Sequence, residues 1–234
     1  MEKTKLQKLF KSKGLLISLV KIIIHFLIEL FQINYLYFYK DKNIVNIIRK
    51  IKKENQLLLD YDEAYFLYVT VKSVNKIKGD IAEVGVYRGG SAKLICEAKR
   101  NKVIHLFDTF KGLPEPDKLF DRFYKARQFI SSLEFVKKYL NSYKGVYFHK
   151  GIFPKSAKSM KNINFSFVHL DVDLYQSTLD SLMFFYPRLS DGGIIISHDY
   201  TQALGVKKAF DDFFADKLEI IIELPNRQCL VTKL

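Results

Sequence analysis

Two apolar runs of the sequence each end in side chains that can bind a cation. The first run ends in Asp171 and Asp173, and the second ends in His198 and Asp199. Both runs predict buried strands, and parallel strands end at the same edge of a sheet, so we expect these side chains around one crevice. Burying three carboxylates side by side without a cation would be costly. The pattern therefore implies a bound metal ion or a cationic substrate.

The spacing of Asp171 and Asp173 suggests how the two carboxylates could divide the chemistry. Residues two apart on an extended segment point to the same side. One carboxylate could then hold an ion while the other accepts a proton from a hydroxyl group that the ion polarises. This expectation depends on strand geometry continuing through Val172.

A second candidate site lies between the first predicted strand and the helix that follows it. Gly85, Tyr87, Gly90 and Ser91 occupy this turn, after Glu83 at the end of the strand. Tyr87 stands where the dinucleotide fingerprint requires a glycine that lets a pyrophosphate approach the backbone, which disfavours a nicotinamide enzyme. S-adenosylmethionine has no pyrophosphate and does not need that glycine. We expect Glu83 to face its ammonium or sulfonium and the free amides at the helix start to hold its carboxylate.

Residues after the next two strands complete the predicted cofactor site. Asp108 ends the next strand, where a carboxylate can accept hydrogen bonds from both ribose hydroxyls. Gly151 follows another predicted strand, and His149 just before it lies where an adenine could pack. Arg88 could either pair with a nearby acid or anchor the cofactor tail.

The elements that must position these residues alternate between strand and helix from residue 79 onward. Such alternation predicts an α/β fold with a Rossmann-like, doubly wound and mostly parallel seven-stranded sheet. The connection between the last two strands is too short for a parallel crossover, so we expect an antiparallel final pair. The predicted strands span residues 80–86, 103–108, 146–149, 165–171, 193–198, 218–223 and 228–233, and the predicted helices span residues 57–77, 90–100, 131–143, 176–186 and 205–215.

Residues 1–55 read as a basic, amphipathic helical extension that precedes one domain over residues 56–234. Residues 14–39 are apolar apart from a polar stripe at helical spacing, so we expect a helix that does not span a membrane. This helix could pack on its own protein or on a partner subunit, or it could lie in a membrane interface. The stripe comprises Ser18, Lys21, His25, Glu29 and Gln32.

The amino-acid composition indicates which binding partners and which cellular compartment to expect. The chain holds 38 Lys and Arg against 25 Asp and Glu, and this net charge of +13 favours anionic partners such as lipid headgroups or phosphorylated sugars. We do not expect nucleic acid binding. Cys96 and Cys229 lack metal-ligand spacing, which suits small core residues in a reducing compartment. With no signal-peptide cleavage site after the apolar stretch, we expect a cytoplasmic protein, either free or peripheral at the inner face of the membrane.

Four segments of the chain resemble, in order, motifs of the macrocin O-methyltransferase family. These are class I enzymes that use S-adenosylmethionine, and many methylate sugar hydroxyls with a divalent cation. The resemblance extends from about residue 79 to about residue 215 and implies a class I methyltransferase domain. The segments are Glu83–Ser91, Phe107–Pro116, Asp171–Thr178 and His198–Tyr200.

The resemblance implies a role for each member of the acid cluster. The first acid of the family's Asp-x-Asp pair, here Asp171, is a metal ligand, and the second, here Asp173, is the general base. Asp199 matches one of two further ligands, whereas His198 stands where the best-known relatives have an acid. Mg²⁺ prefers oxygen ligands, and imidazole shifts the preference toward Mn²⁺ or another transition ion. His198 is therefore either a ligand in a site that tolerates Mn²⁺ or a base in a site with little metal dependence.

Three functions fit these residues. The first is a metal-assisted, S-adenosylmethionine-dependent O-methyltransferase that acts on a hydroxyl of a sugar or a glycosylated intermediate. The second is an O-methyltransferase with a catechol-like small molecule as acceptor, and the third is a non-catalytic, membrane-associated binding protein with the same fold. A homo-oligomer is compatible with each. We expect residues 111–127 to border the acceptor pocket, with Tyr175 and Tyr200 either lining it or packing in the core.

Overall fold

The structure is a computed structural model of the 234-residue chain. It describes residues 20, 23–24, 26–54, 56–158, 160 and 162–234. The predictions for residues 1–19, which include Ser18 of the polar stripe, and for Lys21 and His25 lie outside the described residues.

A mixed seven-stranded sheet forms the centre of the fold, in the order β3-β2-β1-β4-β5-β7-β6. The first five strands are parallel, β7 runs antiparallel to β5, and β6 pairs antiparallel with β7. The predicted Rossmann-like fold class and its antiparallel ending are confirmed. The strands are β1 Asp80–Val84, β2 Ile104–Asp108, β3 Val146–Lys150, β4 Phe165–Leu170, β5 Leu189–Ser197, β6 Ile222–Glu223 and β7 Cys229–Thr232.

Helices cover both faces of this sheet. Residues 26–39 are helical and form α1. The other helices are α2 Lys42–Lys53, α3 Tyr61–Ser73, α4 Gly90–Ala98, α5 Leu133–Tyr139, α6 Tyr175–Phe185 and α7 Leu204–Phe214, with 3₁₀ turns at Val74–Lys76, Lys155–Ala157 and Tyr186–Arg188.

Alternate residues of the central strands belong to two separate hydrophobic cores, one on each face of the sheet. Ile81 and Leu106 pack with α2, α3 and α4, whereas Ala82 and Phe107 pack with α6 and α7 on the opposite face. The strands are therefore buried on both sides, which explains why they read as continuous apolar runs. Cys96 and Cys229 are buried, unpaired core residues, as the sequence indicates.

The predicted element boundaries differ from the structure where side chains rather than periodicity set the ends. Helix α3 begins after Asp60, because Asp60 and Glu63 form a capping box. Helix α5 begins at Leu133, two residues after its predicted start, because Ser132 caps it by accepting a hydrogen bond from the Phe135 amide. Strand β5 begins at Leu189, four residues before the predicted start of that strand at residue 193. The predicted strand 218–223 is reduced to its last two residues.

Candidate active site

The acid cluster lies where the central strands end, as the sequence predicts. The Asp171 amide donates to the Val84 carbonyl at the end of β1, at 2.9 Å. The His198 amide donates to the Leu170 carbonyl at the end of β4, at 2.8 Å. These bonds extend the sheet ladder by one residue beyond each strand and hold Asp171 and His198 side by side.

Asp171, His198 and Asp199 bring one ligand atom each to within 4.8 Å of one another. His198 Nδ1 lies 2.9 Å from Asp199 Oδ1 and 3.5 Å from Asp171 Oδ1. Nδ1 is buried, and among the described residues it has no partner with hydrogen-bond geometry. Two carboxylate oxygens and an unsatisfied imidazole nitrogen that converge in this way fit a divalent cation of the Mn²⁺ type.

A carboxylate behind the cluster holds His198 from the other side of its ring. Glu63 of α3 is fully buried, and its Oε2 lies 3.2 Å from His198 Nε2. Arg227 donates to both oxygens of Glu63, at 2.8 Å each. Burial alone would raise the pKa of Glu63, but His198 and Arg227 outweigh it and lower the pKa to about 2. A carboxylate that fixes the remote nitrogen of a metal-binding histidine is a common supporting arrangement in metal sites.

The electrostatics of His198 follow from the same neighbours. Burial would lower the pKa of the imidazole, but Asp171, Asp199 and Glu63 raise it well above its usual value. With no other cation present, a protonated His198 would itself neutralise part of the acid cluster.

Asp173 reaches the cluster through a turn, and the expected extended geometry at Val172 is wrong. Strand β4 ends at Leu170, Asp173 has a φ of +62°, and the Leu174 amide donates back to the Val172 carbonyl at 2.7 Å. The turn still carries the Asp173 carboxyl to Asp199. Burial, followed by the charges of Asp171 and Asp199, raises the pKa of Asp173 well above its usual range.

The glycine turn after β1 packs closely against the backbone of neighbouring segments. Gly85 has a φ of +88°, and a Cβ there would lie 1.8 Å from the Asp171 carbonyl oxygen. A Cβ on Gly90 would lie 2.3 Å from the Gln56 carbonyl oxygen. Only glycine allows these close approaches, and Gly90 and Ser91 at the start of α4 line the cleft.

Asp108 holds this turn in place. One carboxylate oxygen accepts from the Val86 and Tyr87 amides at 2.8 and 2.9 Å, and the other accepts from the Phe110 amide at 2.6 Å. The oxygen that accepts from Phe110 has a second acceptor position, whereas the other oxygen already accepts two hydrogen bonds. Asp108 can therefore support the turn and still accept a hydrogen bond from a ribose.

A single cleft of about 360 Å³ joins the glycine turn to the acid cluster. Of the predicted site residues, Glu83 is the one that does not line it. Glu83 is fully buried below the turn, 2.9 Å from His169 Nδ1, because the strand end points it into the sheet. The predicted residues that line the cleft are Gly85, Tyr87, Gly90, Ser91, Asp108, Gly151, Asp171, Asp173, His198 and Asp199.

Four further candidates do not line the cleft. His149 is half-buried, stacks on Phe107 and has its Nε2 3.0 Å from His105 Nδ1. The Tyr175 hydroxyl donates to Asp212, and the Tyr200 hydroxyl donates to Asp211, so both tyrosines pack away from the acids. Arg88 is exposed and lies over the Tyr87 ring at 5.2 Å.

Further residues that line the cleft come partly from the segment expected to border it and partly from segments that sequence reasoning missed. Gly112, Leu113, Pro114 and Tyr124 line the cleft, which agrees with the expected border over residues 111–127. Burial and the neighbouring Asp173 raise the pKa of Tyr124, so its hydroxyl stays protonated and can donate to Asp173. Arg227, Gln202 and the segment 56–59 also line the cleft, but they come from distant parts of the chain that no local motif connects to it.

Comparison with known proteins gives a family match over most of the chain. Residues 67–224 match the Macrocin-O-methyltransferase (TylF) family. The chain is 29% identical over 166 residues to demethyldecarbamoylnovobiocin O-methyltransferase of Streptomyces niveus, across 64% of this chain and 63% of the relative. It is 31% identical over 140 residues to 8-demethyl-8-(2,3-dimethoxy-alpha-L-rhamnosyl)-tetracenomycin-C 4'-O-methyltransferase of Streptomyces olivaceus, across 53% of this chain and 54% of the relative. The chain thus spans between about half and just under two thirds of these relatives.

Solved structures agree in fold. The O-methyltransferase NovP superposes with a TM-score of 0.68 at 26% identity, over 76% of this chain and 82% of NovP. The calicheamicin methyltransferase CalS11 superposes with a TM-score of 0.65 over 86% of this chain and 89% of CalS11, and at 17% identity it supports the fold alone. With its four motifs in order around one cleft, and with two thirds of its length matched, the chain belongs to the macrocin O-methyltransferase family.

Proposed function

We propose that this chain transfers a methyl group from S-adenosylmethionine to a hydroxyl of a sugar or a glycosylated acceptor, with the help of a divalent cation. The observation that carries the proposal is the single cleft, which the glycine turn, Asp108 and the acid cluster line together. The O-methyltransferase names of the relatives support the reaction class. The rhamnosyl group in one of those names supports a sugar hydroxyl as the acceptor.

The cofactor end of the cleft would bind and orient S-adenosylmethionine. The first amides of α4 would hold its carboxylate, and Asp108 would accept hydrogen bonds from its ribose. Gly151 and Phe153 line the cleft beyond Asp108, where an adenine could pack. When bound, the cofactor supplies an electrophilic methyl group on a positively charged sulfur.

At the other end, the protein's own residues would activate the acceptor. Asp171, His198 and Asp199 would hold a cation, which would lower the pKa of a bound hydroxyl and orient it. Asp173 would receive the proton as the hydroxyl oxygen gains the methyl group. Tyr124 would fix the direction of the Asp173 carboxyl by donating a hydrogen bond to it.

Calorimetry with S-adenosylhomocysteine tests the cofactor part of the proposal. We expect saturable binding, measured first with a chelator and then with Mg²⁺ or Mn²⁺ added back. Mass spectrometry of a panel of glycosides and nucleotide sugars, incubated with S-adenosylmethionine, should then detect a methylated product whose yield depends on the ion. Absence of S-adenosylhomocysteine binding under every condition would rule out methyl transfer.

A further inference from the structure

Helix α1 packs on the rest of the protein through a side that carries both polar and apolar residues. Glu29, Gln32 and Ile33 on this side are partly covered, and Lys52 of α2 donates to Glu29 at 2.5 Å. Of the described residues of α1, Leu36 alone is buried. A surface helix normally buries its apolar stripe, whereas α1 leaves most of its apolar side chains exposed.

The outward side of α1 is a continuous apolar surface that covers well over half of the helix circumference. Phe31 and Phe38 are 73% and 74% exposed. Asn34 also lies on this side, but its amide donates to the Leu30 carbonyl at 2.7 Å and so is satisfied within the helix. Large exposed apolar patches mark sites of protein or membrane contact. The exposed apolar and aromatic members of this outer face are Phe26, Leu27, Ile28, Leu30, Phe31, Tyr35, Tyr37, Phe38 and Tyr39.

Exposed basic side chains follow α1 in the chain. We call the exposed basic residues of α2 and of the turn before it the α2 basic cluster. The acidic Asp41 lies among them in the sequence and caps α2, where its side chain accepts from the Asn43 amide. The cluster comprises Lys40, Lys42, Arg49, Lys50 and Lys53.

The positive charge of the α2 basic cluster favours an anionic membrane over a second copy of the chain as the partner that covers the outer face of α1. A second copy of the chain would bring two α2 basic clusters, each on a protein of net charge +13, toward each other. An anionic membrane would instead supply both an apolar layer for the aromatic side chains and phosphates for the lysines. In the part of the chain that the structure describes, no helix is long and apolar enough to cross a membrane.

We propose that α1 lies in the surface of an anionic membrane, with its outer face among the acyl chains and the α2 basic cluster on the lipid phosphates. Lys52 connects this surface to the cleft, because its amine also donates to the Leu59 carbonyl at 2.9 Å, and Leu59 lines the cleft. Docking through α1 would therefore hold the cleft wall beside the lipid.

The chain contains no tryptophan, so a single introduced tryptophan can report on the outer face. In Phe31→Trp, we expect the emission to shift to the blue when vesicles of phosphatidylcholine and phosphatidylglycerol are added to the full chain. Vesicles of phosphatidylcholine alone should bind at least about tenfold more weakly. The matched control is Met183→Trp, whose site is 60% exposed on α6, across the sheet from α2. Its emission should not change.

A charge variant separates lipid contact from other causes. Lys50→Gln combined with Lys53→Gln should weaken vesicle binding about tenfold or more, since each basic residue near an anionic surface contributes about a factor of five. Its melting temperature should stay that of the unsubstituted chain, because both side chains are exposed.

Three results would overturn the proposal. The first is an absence of vesicle binding by co-sedimentation. The second is equal binding to neutral and anionic vesicles. The third is a blue-shifted emission of Phe31→Trp before vesicles are added, which would show that a second copy or another segment of the chain covers the face. Light scattering would then tell a dimer from a monomer. None of these readouts depends on methyl transfer.

Discussion

Replacing Glu63 with glutamine tests whether a buried ion network holds the candidate cation site. Glutamine keeps the volume of the side chain but exchanges one acceptor oxygen for an amide that faces the N–H groups of Arg227. The Glu63 carboxylate accepts two hydrogen bonds from Arg227 and lies 3.2 Å from His198 Nε2. It is buried and so is shielded from water. We therefore expect the variant to fold but to be substantially less stable.

The magnitude follows from the pKa of Glu63. A decrease from 4.5 to about 2 corresponds to roughly 3 kcal/mol of stabilisation at neutral pH, of the same order as the 3–5 kcal/mol lost when one partner of a buried ion pair is removed. For a chain of this length, that loss lowers the melting temperature by roughly 6–12 °C. Since the folded pKa is the lower one, the stabilisation is complete above about pH 4.5 and is lost as the pH falls toward 2.

Urea unfolding of the chelated protein at pH 7 and at pH 3 measures both effects. We expect the difference between Glu63→Gln and the unsubstituted chain to be about 3 kcal/mol at pH 7 and clearly smaller at pH 3. Glu223→Gln, on the exposed edge strand β6, is the matched control and should change the stability by less than about 0.5 kcal/mol. A difference below about 1 kcal/mol at pH 7, or one that does not narrow in acid, would refute the reasoning.

Three further changes test the cleft. Asp173→Asn should abolish methyl transfer while S-adenosylhomocysteine still binds in calorimetry; full turnover would contradict its role as base. Gly85→Ala should lower the melting temperature far more than Gly192→Ala. Both glycines have positive φ, but a Cβ on Gly85 would clash with the Asp171 carbonyl oxygen, whereas a Cβ on Gly192 meets only Ile77 at 3.5 Å, an ordinary contact. Equal decreases in melting temperature would contradict the clash with Asp171. His198→Asp should move the ion preference in calorimetry from Mn²⁺ toward Mg²⁺, and an unchanged preference would show that His198 is not a ligand.

The parts of this fold that the sequence predicts well are those where one local pattern determines the structure. The parallel strands read as apolar runs because the sheet is buried on both faces, and their ends place Asp171 beside His198. The short link before β7 similarly requires an antiparallel partner. The same patterns place the glycine turn, because Gly85 and Gly90 allow backbone contacts that no side chain would permit.

The missed features depend on contacts between distant segments. Glu63 and Arg227 are 164 positions apart, and neither belongs to a motif that includes His198. Asp173 reaches Asp199 through a left-handed turn that the alternation of an extended strand does not foresee. Glu83 illustrates the opposite error, since its place at a strand end suggested a ligand contact, whereas strand alternation directs its side chain toward His169. Periodicity places Glu29 and Gln32 on one side of α1, but periodicity alone does not tell which side of a helix turns inward.

The most direct measurement is a crystal structure of the chain grown with S-adenosylhomocysteine and Mn²⁺, with data collected at the manganese absorption edge. We predict one anomalous peak in contact with Asp171, His198 and Asp199, and cofactor density along the glycine turn with its ribose at Asp108. Density for the cofactor outside this cleft, or a manganese ion bound away from these three side chains, would contradict the proposed site.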